Sequence, residues 1–113
     1  MKKKDFGRFG EEKAISFLKR KGIKVTGRNI RTPFGEIDIV GESKGKLYFI
    51  EVKTRSNTLL GIPLEAINAS KKEHMVSSAM YYMKGREIDF EIGVVSIIFN
   101  GGECNIEYTP EIF

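Results

Sequence analysis

The 113-residue chain has one cysteine, one histidine, three prolines and no long apolar run. Each scarcity removes a class of protein. Cys104 alone closes no internal disulfide and builds no zinc site, which fits a reducing compartment, so it reads as a structural residue. The longest apolar stretch, Val94 to Phe99 broken by Ser96, falls far short of the roughly 20 residues that cross a bilayer. The lysine-rich Met1 to Lys4 runs into Asp5 and an amphipathic pattern instead of the apolar core of a secretory signal. The expected location is therefore the cytoplasm, with no membrane partner. His74 has neither a metal-ligating nor a nucleophilic companion and reads as a surface or packing residue. Low-complexity tracts, repeats and linkers rich in Pro, Gly or Ser are also missing. Residues 1–113 are expected to form one domain that buries about two thirds of its unfolded surface.

What is present is ordinary in amount and uneven in placement. Hydrophobic residues make up 41% and charged residues 30%, a soluble globular composition. The net charge of +4 hides a split: residues 1–31 carry eleven Lys or Arg against Asp5, Glu11 and Glu12, a balance of +8, which leaves −4 for the rest. A basic end joined to an acidic body suits a binder of phosphate backbones that also holds a carboxylate cluster. A solvated helix face with a lysine tail gives the same charge map.

The spacing predicts a helix over Asp5 to Lys21, with Asp5 as N-cap and Gly22 as stop, and with Phe6, Phe9, Ala14, Phe17 and Leu18 as its apolar face. Ile23 to Arg28 reads as a short segment leading into a loop through Thr32 and Pro33. Gly35 to Glu42 and Lys46 to Thr54, separated by Ser43-Lys44-Gly45, read as an antiparallel hairpin. Leu59 to Asn68, interrupted by Gly61 and Pro63, has no clear assignment. Ser70-Lys71-Lys72-Glu73 has the form of a capping box that starts a helix reaching about Lys84. A β run from Phe90 to Phe99, a turn at Asn100-Gly101-Gly102 and a last strand near Asn105 to Thr109 complete the order. Helices packed on a mixed sheet, an α/β or α+β layered domain, are expected.

The hairpin carries the chemistry. Side chains alternate along a strand, so Glu36, Asp38 and Val40 share one face and Phe49, Glu51 and Lys53 share one face of the next strand. If the hairpin closes through Ser43 to Lys46, Asp38 lies opposite Glu51 and Glu36 opposite Lys53, with Cβ atoms about 4.5 to 5.5 Å apart. Opposed carboxylates are destabilising unless a cation or a raised pKa compensates. Mg²⁺ suits such a pair, because it takes oxygen ligands and often only one or two carboxylates besides water and phosphate. Near the turn Ile39, Val40, Leu47, Phe49 and Ile50 make both faces of the hairpin apolar, so the charged groups further along face a cleft and not open water. A solvated face with a Glu36 to Lys53 pair is the competing reading.

Gly35-Glu36-Ile37-Asp38-Ile39-Val40, followed by Phe49-Ile50-Glu51-Val52-Lys53-Thr54-Arg55, resembles the PD-(D/E)XK nuclease motif. Gly7-Arg8-Phe9-Gly10-Glu11, Arg28-Asn29-Ile30-Arg31 and the helix around Lys71 and Ala79 resemble the YraN-like family of small bacterial proteins, predicted endonucleases similar to archaeal Holliday-junction resolvases. The match covers nearly the whole chain. A bare Asp…Glu-x-Lys recurs by chance; the flanking strings and the Gly-x-x-Gly-Glu make it specific. The resemblance implies a restriction-endonuclease-like mixed β-sheet flanked by helices. It makes Asp38 and Glu51 metal ligands, with the Val52 carbonyl as a third. Lys53 would orient or deprotonate the attacking water, or stabilise charge on the phosphate. Glu11 matches the acid that resolvase-like nucleases bring from their first helix. The helical wheel agrees in putting Glu11 between Ile15 and Leu18 and Glu12 on the polar side, although a first-turn acid is also favoured by the helix dipole alone. One departure stands out: relatives often have Asp in a Phe-Asp-Val-Val string where this chain reads Ile92-Gly93-Val94-Val95.

Lys71 lies on the stripe of Met75, Ser78 and Tyr82 at a helix start, where it could hold a phosphate or simply snorkel. Arg28, Arg31 and Arg55 are further candidates for backbone contacts. Tyr81 and Tyr82 read as core residues before base-stacking ones. The expected function is Mg²⁺-dependent hydrolysis of phosphodiester bonds in structured or branched DNA, with Mn²⁺ as substitute, DNA as partner and no small-molecule cofactor. A homodimer follows from the resolvase resemblance. The alternatives are a non-catalytic nucleic-acid-binding module that keeps the nuclease fold, and a protein-interaction domain.

Overall fold

The computed structural model describes residues 3–56, 69–100 and 102–111, and Leu59 to Asn68 lie outside the described residues. Helix α1, Lys3–Arg20, is followed by strands β1, Lys24–Thr32, β2, Gly35–Ser43, and β3, Lys46–Ser56. Helix α2, Ala69–Met83, then precedes β4, Asp89–Asn100, and β5, Glu103–Glu111. The five strands form one mixed sheet in the order β1-β2-β3-β4-β5, antiparallel except for the parallel pair β3 and β4. No helix among the described residues is long and apolar enough to cross a membrane.

Local sequence accounts for the element ends. Gly22, at φ 86°, turns the chain out of α1; its N–H donates to Lys19 O at 3.0 Å and that of Ile23 to Leu18 O at 2.9 Å, the double closure that a left-handed residue permits. Leu18 and Ile23 then pack in one core cluster. Lys44 and Gly45 both have positive φ, 51° and 77°, the geometry of a two-residue hairpin turn whose twist matches its strands. Arg86 caps the end of α2 by donating from Nε to Met83 O at 2.9 Å.

The two helices cover opposite faces of the sheet. Ala14, Ile15 and Leu18 of α1 pack with Ile39, Ile50, Val95 and Ile97, whereas Ala79 and Met83 of α2 pack with Val40, Phe49 and Ile92. The neighbours Ile39 and Val40, or Phe49 and Ile50, belong to different clusters, as strand alternation requires. The row Val40, Phe49, Ile92 runs straight across three strands in register. The hairpin is thus covered on both sides, as its double-faced apolarity predicts.

Four local expectations are corrected. Asp5 and Ser70 fall inside their helices, which begin at Lys3 and Ala69, so neither can be an N-cap. The segment from Lys24 to Thr32 is a full strand and not a lead-in to a loop. It is a polar edge strand, bulged between Val25 and Gly27, and an edge needs hydrogen bonds more than an alternating apolar face. Tyr81 is 48% exposed, while Tyr82 does pack on the α2-side core.

Candidate metal and phosphate site

The site forms where pairing between β2 and β3 stops. The rungs run from Ser43–Lys46 to Ile39–Ile50, the register expected from the turn, and Asp38 and Glu51 are the next positions along it. On the other side of β2 the paired residues step from Arg28–Ile39 to Ile30–Ile37, passing over Asn29 and Asp38. Asn29 has a left-handed backbone, φ 49°, uncommon for a residue with a side chain. Ile37 and Val40, three residues apart, pack in the same cluster, which unbroken alternation forbids. At Asp38, then, β2 parts from β3 and is locally irregular against β1, with which it pairs again from Ile37 to Gly35. The amide of Val52, beyond the last rung, donates instead to Asp38 Oδ2 at 2.9 Å.

This placement is electrostatically costly. Burial, with added repulsion from Glu51, Glu11 and Glu36, pushes the Asp38 carboxyl up to about 6, although the Val52 hydrogen bond pulls the other way. Glu51 Oε1 receives Lys71 Nζ in a close ion pair, with Lys53 Nζ at 3.5 Å. Glu51 Oε2 is buried with no hydrogen-bond partner, a state that carries a desolvation cost of about 1 to 3 kcal/mol or more for a charged group. The neighbouring Lys71, then burial, hold the Lys53 ammonium below the usual lysine range, with Glu51 opposing. Burial acts to lower Lys71 as well, but its contacts with Glu51 and Lys53 outweigh that and raise it.

A cavity of about 340 Å³ opens beside these groups, between β2, β3 and the first turns of α2, with Asp38, Glu51, Lys71, His74, Met75 and Ser78 among its walls. Lys71, Met75 and Ser78 therefore share the inward stripe read from the sequence.

The other candidates are dispersed. Glu11 is the inward acid of its pair, at 20% side-chain exposure against 59% for Glu12. Asn29 Nδ2 donates to its Oε1 at 3.4 Å, and Arg28 stands 3.9 Å from it. Arg28 makes its closer pair with Glu12 at 2.8 Å. Arg31 is fully at the surface, 4.0 Å from Glu36. Arg55 stands two residues beyond Lys53 on β3 and is half-buried. Among the described residues no three His, Cys, Asp or Glu side chains stand close enough together to hold a metal. The set still fits a hard cation in a sparse form: two carboxylates side by side, one with a buried oxygen lacking a partner, need only water and phosphate oxygens to complete a Mg²⁺ shell. Zinc, which prefers N and S ligands, does not fit.

Three features were not anticipated. Asn29 reaches Glu11 through a left-handed conformation that no pattern of apolar residues announces. Ser78, 2% exposed, meets Thr32 Oγ1 at 2.8 Å. Because the Thr32 hydroxyl donates to Gly35 O at 2.8 Å, Ser78 is the donor of that pair. Gly93 lies against the Tyr108 ring, which would clash with any Cβ there, and Tyr108 packs on the α1-side core. Gly93 therefore faces away from Glu51 and Lys53.

Fold and site together define a single-domain α/β protein with a carboxylate and lysine cluster at the broken end of a central hairpin. Residues 10–97 match the family described as "Uncharacterised protein family UPF0102". A UPF0102 protein of Syntrophotalea carbinolica is 40% identical over 110 residues, covering 95% of this chain and 89% of its own. One of Dictyoglomus turgidum is 36% identical over the full length of both, and one of Clostridioides difficile is 39% identical over 74% of this chain and 73% of its own. The chain belongs to the UPF0102 family, the YraN-like family that its motifs resemble.

Proposed function

We propose that the protein is a metal-dependent DNA endonuclease of the PD-(D/E)XK kind, acting on structured or branched DNA. The observation that carries this reading is the Asp38 and Glu51 pair at the end of the hairpin ladder, with a raised carboxyl on one and a buried, partnerless oxygen on the other. Both defects are relieved by a divalent cation. Asp38 and Glu51 would hold Mg²⁺ or Mn²⁺, with the Val52 carbonyl beside them and Glu11 at longer reach. When bound, the cation supplies an activated water and neutralises phosphate charge. Lys53, with its proton loosened by Lys71 and burial, orients the attacking water and stabilises charge on the phosphate. Lys71 holds a non-bridging oxygen, and Arg55 lies along the same strand for the flanking backbone. Arg28 and Arg31, on the edge strand β1, belong to the basic N-terminal third that meets more distant phosphates. A homodimer is proposed on the resolvase resemblance alone.

A second reading is favoured by one contact. The Lys71 ammonium already lies against Glu51, where it can replace the cation permanently, and the protein would then bind nucleic acid without cutting it. Calorimetry with Mg²⁺ or Mn²⁺ separates the two readings: the first expects binding that Asp38→Ala abolishes, the second none. A cleavage screen on linear, flapped and four-way DNA with Mn²⁺ tests the chemistry, and activity surviving Asp38→Ala or Lys53→Ala would sink the assignment.

A further inference from the structure

We infer that the cavity beside Asp38 and Glu51 receives one unstacked nucleobase, from the strand whose phosphodiester lies at those carboxylates. The inference rests on the nuclease reading and names what such an enzyme would select. The walls of this cavity of about 340 Å³ divide between charged groups, Glu36, Asp38, Glu51 and Lys71, and the apolar side chains of Phe34, Phe49 and Met75. A nucleotide has this same division, a charged phosphate joined to an apolar disc with polar edges. Ser70 and His74 also face the cavity and can meet base edges. The volume is at the small end of ligand pockets, enough for one nucleotide and far too little for a base pair.

Phe34 is the second, independent observation. It is 47% exposed at the tip of the β1–β2 turn, so that about half of a large apolar side chain stays in water at a cost in hydrophobic free energy. Its turn is nonetheless held firmly. Phe34 N–H donates to Thr32 Oγ1 at 3.1 Å, Thr32 Oγ1 donates to Gly35 O at 2.8 Å, and buried Ser78 donates to the same hydroxyl at 2.8 Å. Tyr81 braces the Phe34 ring edge-on, with centroids 6.4 Å apart at 70°. An exposed ring fixed at the rim of a cavity is a stacking platform. Lys71 and Lys53, both lying against Glu51, are the ammonium groups that would contact a phosphate beside the cavity. Because a paired, stacked base cannot enter, DNA with an unpaired nucleotide next to the scissile phosphate is the preferred substrate.

The test uses the full chain without divalent metal, so that no strand is cut, and DNA carrying 2-aminopurine either at the unpaired nucleotide of a flap or within a plain duplex. For the wild type, 2-aminopurine fluorescence is expected to change at the unpaired position alone. Phe34→Ala is expected to lower affinity for flapped DNA about five- to hundredfold, the range of one base–aromatic stack, with duplex affinity unchanged. Met75→Trp, which fills the cavity, is expected to do the same. Equal losses on flap and duplex, or no loss in either variant, would overturn the inference. If the wild type cleaves flap and duplex alike and Phe34→Ala follows it, the nuclease reading stands and the base pocket falls. If the wild type binds no DNA at all, both fall.

Discussion

From Ser43–Lys46 to Ile39–Ile50 the β2–β3 hairpin is paired rung by rung and covered by α1 on one face and α2 on the other. From Asp38 and Glu51 onward the β2–β3 rungs stop, and carboxylates and lysines replace Ile, Val and Phe. The closed half buries Ile39, Val40, Phe49 and Ile50 almost completely and supplies stability. The open half carries a raised carboxyl, a partnerless oxygen and two crowded ammonium groups. One turn sets the register of both. A site of this kind is built by ending a ladder at the right rung, so that the backbone amide of Val52 and the charges beyond the last pair are left for another partner.

If the halves are divided in this way, substitutions should separate them. Phe49→Ala removes a ring that Tyr82 and Phe90 meet edge-on and should cost about 3 to 5 kcal/mol in urea unfolding, leaving the charges of the open half in place. Lys53→Ala should lower cleavage by about a hundred- to thousandfold, as loss of a charge-stabilising donor does, with little change in unfolding midpoint. A loss of stability comparable with that of Phe49→Ala would erase the contrast.

Asp38→Asn sharpens it further, because the sign reverses. The carboxyl is raised from 3.8 to about 6 by folding, so the folded state holds a proton that the unfolded chain releases. Raising the pH from about 4 to 6 therefore costs stability, and above 6 the cost stays constant. The amide keeps an oxygen for the Val52 N–H and removes the charge. Asp38→Asn should be more stable than the wild type by about 1 to 3 kcal/mol at pH 7 to 8, a gain that shrinks to nothing near pH 4. Unfolding curves across that range check it, and added Mg²⁺ should stabilise the wild type but not the variant. The smallest effect concerns the turn beside the site. Ser78→Ala should cost about 1 kcal/mol, one buried hydrogen bond, measurable as a shift of a few degrees in Tm.

Much of this arrangement is legible residue by residue. The Lys44-Gly45 turn and strand alternation are local properties, so the register that leads to Asp38 and Glu51 is contained in about sixteen successive residues. The inward face of Glu11 and the stripe of Lys71, Met75 and Ser78 follow from helical periodicity for the same reason. The strand β1 escapes such reasoning, because Val25 and Ile30, which reach the two cores, stand in a mostly polar edge strand whose neighbour's hydrogen bonds matter more than its pattern. Tyr81 escapes it too: its partner is Phe34, on a turn 47 positions earlier in the chain.

The hairpin, its register, the helices and the residue types that any chemistry here must use follow from local sequence, since all of these depend on contacts a few residues apart. That Lys71, carried on α2, meets Glu51, and that Glu11 contacts Asn29 and Arg28, follows from the packing of elements far apart in the chain. It also ended the β2–β3 rungs at Ile39–Ile50. These outcomes depend on how two helices seat on opposite faces of one sheet, and on buried charges finding partners at a distance, which no local pattern encodes.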